Sequence, residues 1–501
     1  MPPVSRRGFL LGLAASPIAL SLACSGGSRA TPTNNGGKRP LPIPPLAEST
    51  VDDTGTRVFS LRAAAGTSEI RAGQQTPTWG YNGAILGPTL RARDGETVAV
   101  EFDNALPEPT SVHWHGMHVP ARCDGGPHQL VEPGAQWRPT WTIRQPAATL
   151  WYHPHPHGET EKHIYRGLAG FFIVDDASSG LLPHDYGIDD IPLVIQDRRF
   201  TSSGALDESD STHVGLLGNT IVTNGVANAY LPVRSQRVRL RILNGSGGRL
   251  YNLGFSDDRS FLIVGSDGGL LPAPVEATRI RLSPGERMEI VVDMSSGSTV
   301  SLRSFAFDDN AGLSPSEATR CGLKDTFEIL ELRAGAALRS GGEVPAVLAA
   351  IPAPDTAHAV ATRNFDLRWF MINGQRMNMD VIDFHAYVDT TEIWTVRNID
   401  NWPHNFHVHD TQFRVIDIDG SPPAPALAGY KDTVYVAPGQ RIRLAVRFAD
   451  YTDPTFPYMY HCHLAMHEDR GMMGQFLVLA PGQTPAPMQG QMPAGSGHSM
   501  H

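Results

Sequence analysis

Four short clusters hold the residues best suited to chemistry: His113-Trp114-His115, His153-Pro154-His155, His404-Asn405-Phe406-His407-Val408-His409, and His461-Cys462-His463 followed by His467 and Met472. Residues two apart on a strand share a face, so each His-x-His pair offers two imidazoles to one site. In an extended His461-Cys462-His463 the histidines face one way and the thiolate the other, so three residues touch two metal sites. The same parity separates His404 from His407 and His409. Two His, one Cys and a weak axial Met form the blue-copper donor set, with the soft thiolate favouring copper. His404, Cys462 and His467 supply its strong ligands, and Met472 is placed as the axial thioether. The eight remaining histidines, in four pairs, suit a cluster of several copper ions. Calcium or magnesium would call for oxygen ligands, and structural zinc for a closed set of four. A single His-x-His is weak evidence, whereas the ordered set with Cys and Met is specific.

The elements that must carry these clusters repeat along the chain. Asn82-Gly83, Asn224-Gly225 and Asn373-Gly374 each precede an alternating strand that ends in Asn: Val98 to Asn104, Val238 to Asn244, and Trp394 to Asn398. Pro133-Gly134, Pro284-Gly285 and Pro438-Gly439 then lead into further alternating strands. The repeats start about 140–150 residues apart, one domain length. Alternation such as Val238-Arg239-Leu240-Arg241-Ile242 predicts one buried and one wet face, as in an antiparallel sandwich. No long helical period is present, and Gly 50 with Pro 40 fits a turn-rich β protein. The expectation is an all-β chain of three tandem sandwiches: 47–180, 181–345 and 346–482. The first and third carry the clusters and the second carries none.

The ends read differently. Ser5-Arg6-Arg7-Gly8-Phe9-Leu10 opens an apolar run to Leu22 that is too short to span a membrane as a mature helix. The paired arginines resemble a twin-arginine export signal, which implies a periplasmic, extracellular or cell-surface protein. Leu22-Ala23-Cys24 loosely resembles a lipoprotein processing site, although Ser21 stands where Leu is usual, so membrane association would depend on a lipid at Cys24. Residues 25–46 have a tether's composition, and 483–501 form a flexible tail with Met488, Met492, His498, Met500 and His501. Lys+Arg 41 against Asp+Glu 51, a net charge of -10, argues against a nucleic-acid partner. Cys24 belongs to the signal and Cys462 to the metal set, leaving Cys123 and Cys321 as either one disulfide or two free thiols.

The order His-Trp-His-Gly, Trp-Tyr-His-Pro-His, His-x-x-His-x-His and His-Cys-His-x-x-x-His-x-x-x-x-Met resembles the three-domain multicopper oxidases over residues 47–480, among them bacterial laccases, copper-efflux oxidases and bilirubin oxidases. The resemblance implies three tandem cupredoxin-like Greek-key β-sandwich domains and four copper ions. By that likeness His404, Cys462, His467 and Met472 are type 1 ligands, and His113 and His407 are type 2 ligands. His115, His153, His155, His409, His461 and His463 match the type 3 pair. Asp124 and Glu468 match carboxylates that supply protons as dioxygen is reduced to water. Asp410 departs from the pattern, standing where many relatives carry Gly or an apolar residue, and His157 has no ligand counterpart.

Three functions are compatible with such a likeness: oxidation of phenols or other small aromatic reductants, oxidation of Cu(I) for copper tolerance, or a non-catalytic role like that of cell-division relatives without copper ligands. The full ligand set argues against the last. Residues 295–370 contain no Met, whereas copper-efflux oxidases carry a Met-rich insertion before the His404-type motif. That difference favours an organic reductant, with Met371, Met377 and Met379 packing or lining its approach.

Overall fold

In the computed structural model, which describes residues 37–209 and 212–487, the three Asn-Gly dipeptides build one corner three times. Asn82, Asn224 and Asn373 adopt φ of 54°, 47° and 54°, a left-handed conformation that Asn tolerates better than most residues. Each side-chain oxygen accepts a strand N–H, from Arg62, Val194 and Asp366 at 2.7, 2.8 and 2.8 Å. Each amide nitrogen donates to a carbonyl two residues upstream of that donor: Ser60, Pro192 and Asn364.

A second corner repeats at the strand ends. The buried amides of Asn104, Asn244 and Asn398 each donate to two carbonyls: Glu108 and Val131, Arg249 and Leu282, Trp402 and Val436. The backbone carbonyls of the same three residues accept from Gly134, Gly285 and Gly439 of the Pro-Gly turns. These glycines have φ of 78°, 83° and 75°, where a side chain would be strained. Losing one such buried amide strands its partners, at a cost of about 1–3 kcal/mol per unpaired group.

Six sheets form three sandwiches. The first packs a six-stranded sheet, including Arg57–Arg71 and Thr97–Ala105, on a four-stranded sheet holding His113–His115 and Ala148–His153. The second packs seven strands on six, and the third five on five. Each sandwich has its own core: Phe59, Val100 and Phe172 in the first, Leu240, Ile290 and Leu330 in the second, Trp394, Phe406 and Phe476 in the third. The α-helices are confined, among the described residues, to Thr160–Arg166, Pro315–Arg320 and Ala465–Asp469, with four single-turn 3-10 helices besides.

Two local expectations change, and the open alternative for the cysteines is decided. The predicted wet face of Arg237–Asn244 is buried, with Arg239 3% and Arg241 2% exposed. It lies against the first sandwich, where Arg241 pairs with Asp190 and Glu289 and donates to Thr149 at 2.8 Å. Strand alternation reports polarity, and a polar face can be buried when its charges are paired. Residues 39–40, assigned by composition to the tether, instead pair in parallel with Ala229 and Tyr230, and Leu41 is buried in the second core. Cys123 and Cys321 are both free thiols: Cys321 is buried in the third core, and Cys123 donates to the Thr140 carbonyl at 3.4 Å. The signal-like segment, Cys24 and the tail residues Met488, Met492, His498, Met500 and His501 lie outside the described residues.

Candidate metal centre

Cross-strand register assembles the histidines. In the first sandwich His113 stands opposite His153, and His115 opposite Trp151. In the third, His407 stands opposite His461 and Thr433. The two sheet ends meet, so that the His115 and His407 rings stack with centroids 3.8 Å apart, as do His113 and His409. Nε2 of His461 lies 3.2 Å from Nε2 of both His155 and His409. His115 Nδ1 lies 3.4 Å from His153 Nε2. The His463 ring sits 4.9 Å from His115 and 5.2 Å from His153. All eight predicted cluster imidazoles are therefore together and buried.

Their outward nitrogens are anchored. Nδ1 bonds to a backbone carbonyl in His113 (Asp124, 2.9 Å), His153 (Pro154, 2.8 Å), His407 (Asp432, 2.8 Å) and His461 (Cys462, 3.1 Å). His409 Nδ1 bonds to the Asp124 carboxylate at 2.7 Å. Such bonds fix the tautomer and aim Nε2 at a shared centre, which is how metal-binding histidines are held. The Nε2 atoms of His113 and His407, and both ring nitrogens of His463, have no hydrogen-bond partner although fully buried. Burial and mutual proximity push His115, His153, His155, His407 and His461 well below the ordinary imidazole range, and His463 down to about 3. Neutral imidazoles with inward lone pairs are what a copper cluster requires.

A second donor set lies on the far side of Cys462. Its sulfur is 3.7 Å from His404 Nδ1 and 3.6 Å from His467 Nδ1, and those nitrogens are 3.1 Å apart. The strand Tyr458–His461 ends just before the cysteine, and the short helix Ala465–Asp469 returns His467 to it. Met472 is fully buried beside them, its N–H bonded to the His467 carbonyl at 2.9 Å and its carbonyl to the Cys462 N–H. Two imidazoles, a thiol and a neighbouring thioether fit a blue-copper site.

The predicted acids take different states. Burial pushes the Asp124 carboxyl up, but His409 and His113 beside it hold it below the usual carboxylate range. Glu468 lies 3.3 Å from Nδ1 of both His155 and His461 with neither oxygen hydrogen-bonded, and burial pushes it well above the usual range. The two carboxyls are thus shifted in opposite directions, Asp124 towards its ionised form and Glu468 towards its protonated form. Asp410 adopts φ 70° and accepts from His118 Nδ1 at 2.9 Å and the Val119 N–H at 3.3 Å, tying the third sandwich to the first. His157 is exposed.

Comparison with known proteins agrees with this geometry. Multicopper oxidase family models match residues 62–179 and 351–482, which bracket both donor sets. The multicopper oxidase mco of Staphylococcus haemolyticus is 35% identical over 88% of this chain and 93% of its own. The chain belongs to the multicopper oxidase family. Two further likenesses show the family's breadth. The cell division protein FtsP of Salmonella typhimurium is 37% identical, covering 95% of this chain and 98% of its own. A laccase crystal structure from Pediococcus acidilactici superposes with a TM-score of 0.81 at 35% identity, over 89% of this chain and 94% of that one.

In this multicopper oxidase, sequence reasoning missed three positioning residues. Asn405 Oδ1 accepts the His463 N–H at 2.5 Å and lies 3.6 Å from the Cys462 sulfur, while its amide donates to the Pro284 carbonyl at 2.8 Å. Asp432 accepts from His115 Nε2 at 2.9 Å, and Arg287 of the second sandwich holds Asp432. Only Asn405 carried a signal, its place between cluster residues; Asp432 and Arg287 are distant in sequence from any His motif.

Proposed function

We propose that this oxidase couples one-electron oxidation of small aromatic reductants to the four-electron reduction of dioxygen to water. The balance is four phenols and one O2 giving four phenoxyl radicals and two waters. The observation that carries the reading is the convergence of eight buried imidazoles on one side of Cys462 and the His404–Cys462–His467 set on the other. In this reading His404, Cys462, His467 and Met472 hold one type 1 copper. His113 and His407 hold the type 2 ion, and His115, His153, His155, His409, His461 and His463 hold the type 3 pair. Four bound copper ions would supply electron uptake at the first site and oxygen reduction at the other three.

The protein's own part is to connect, orient and protonate. Peptide bonds join Cys462 to His461 and His463, giving a short covalent path between the two donor sets. Protonated Glu468 is placed to donate a proton at its carboxyl oxygens, and ionised Asp124 orients His409 through Nδ1. The same donor sets weigh against a role without copper, despite the likeness to a cell-division protein. The domain divisions expected from the repeats, and export by a twin-arginine-type route, complete the reading.

Cu(I) oxidation is the second reading, supported by the sparse Met and His residues of 488–501. Steady-state oxygen consumption by the copper-loaded protein with a phenol and with Cu(I) separates the two. The aromatic reading expects the larger kcat/KM with the phenol; activity with Cu(I) alone overturns it.

A further inference from the structure

His467 turns Nδ1 towards Cys462 and its other nitrogen outward, where Nε2 donates to the His213 carbonyl at 2.7 Å. Aromatic rings surround that outer edge. Phe370 stands edge-on to His467 at 5.4 Å, and Trp402 lies 6.2 Å from His467 and 5.6 Å from Phe370. Both are half-buried, so ring faces reach from solvent to the edge of the imidazole, and Trp369, next in sequence to Phe370, is 47% exposed.

The exposed side chains against these rings carry positive charge. The Arg470 and Arg376 guanidinium carbons lie 4.9 and 5.9 Å from the Phe370 ring, and that of Arg368 lies 4.7 Å from Trp369. All three arginines are exposed, and among the described residues none has a carboxylate within salt-bridge distance. The neighbouring acids are occupied elsewhere. Asp366 is paired with Arg397, Asp469 accepts the Thr160 and Glu161 N–H groups, and the Asp400 side chain is 2% exposed and accepts the Trp369 N–H. A local cluster of free guanidinium groups is notable on a chain of net charge -10. Guanidinium groups bind planar oxyanions in bidentate fashion and also lie well against aromatic faces.

We propose that this surface is the docking site for an anionic aromatic reductant, a phenol or aromatic amine bearing a carboxylate or sulfonate. Its ring stacks on Phe370 and Trp402 beside His467 while Arg376 and Arg470 hold its charge. The inference rests on the aromatic-oxidase reading and narrows its substrate class. A free cuprous ion would meet three uncompensated positive charges here.

The test compares kcat/KM of the copper-loaded protein for three phenols of one ring pattern, carrying a sulfonate, no charge, or a trimethylammonium group. The sulfonate is expected to exceed the trimethylammonium compound by about tenfold at low ionic strength, with the ratio shrinking as salt is added. Arg376→Gln with Arg470→Gln is expected to abolish that ratio, whereas Arg138→Gln, on the first sandwich beside Asp52 and Glu101, leaves it intact. Calorimetric titration of the same proteins with redox-inert toluenesulfonate supplies a readout independent of turnover, with binding lost only in the double variant. Equal kcat/KM for the three phenols, or a ratio unchanged in the double variant, overturns this inference and leaves the aromatic reading standing. Turnover of Cu(I) with none of the phenols overturns both.

Discussion

His115 and Asp432 come from different sandwiches and share a buried hydrogen bond, Nε2 to Oδ1 at 2.9 Å. The aspartate is held in turn by Arg287 of the middle sandwich, whose Nη1 donates to the same oxygen at 2.8 Å. The repeat without ligands thus orients a ligand candidate of the first repeat through an acid of the third. His115 differs from its neighbours in being anchored through Nε2, which leaves Nδ1 facing His153.

Asp432→Asn breaks the charge pairing with Arg287 while keeping a similar shape. Copper affinity at the cluster is expected to fall by about 10–100-fold, the usual effect of losing a partner that orients a metal-bound histidine. Unchanged copper content after dialysis against a graded chelator series would show that the bond orients nothing.

Loading of the proposed type 1 site has a defined proton balance. Burial pushes the Cys462 thiol up to about 12, while burial lowers His404 and takes His467 down to about 3. At neutral pH the imidazoles are already free of protons and the thiol must lose one. Apparent Cu(II) affinity is therefore expected to rise about tenfold per pH unit from pH 5 to 9. No break should appear near pH 6.5, where ordinary histidines would stop competing; a break there in competition titrations contradicts the buried, neutral state.

Stability should carry the mark of His118. Burial alone would push this imidazole down, but Asp410 on Nδ1 and Asp450 on Nε2 raise it to about 9. A group raised in the folded state contributes fully below its unfolded value near 6.5 and loses that contribution as pH rises through about 9. Between those limits the unfolding free energy is expected to fall by on the order of 2 kcal/mol, and His118→Gln should flatten the profile. Denaturant midpoints across pH 6 to 10 measure it; parallel profiles for both proteins refute the assignment.

Periodicity and spacing made much of this molecule legible in advance. The Asn-Gly and Pro-Gly dipeptides marked real corners because only a few residues tolerate left-handed backbone there. His-x-His pairs marked the cluster because strand parity is local. Contacts between sandwiches were not legible: nothing near Arg239 or Arg241 in sequence says that their face meets Thr149. Asp432 looks like any acid before a strand until the fold brings His115 to it. The tether's end was misplaced because a two-residue parallel pairing at Arg39–Pro40 leaves almost no compositional trace.

The distance along the chain between His113 and His463 has a consequence for biogenesis. The cluster cannot exist until both terminal sandwiches have folded and docked, since each contributes half of its imidazoles. Metal binding to that assembled state alone adds its free energy only to finished molecules. On the proposed ligand set, copper uptake would act as a proofreading step, and a chain truncated before Cys462 could neither acquire the centre nor share its protection.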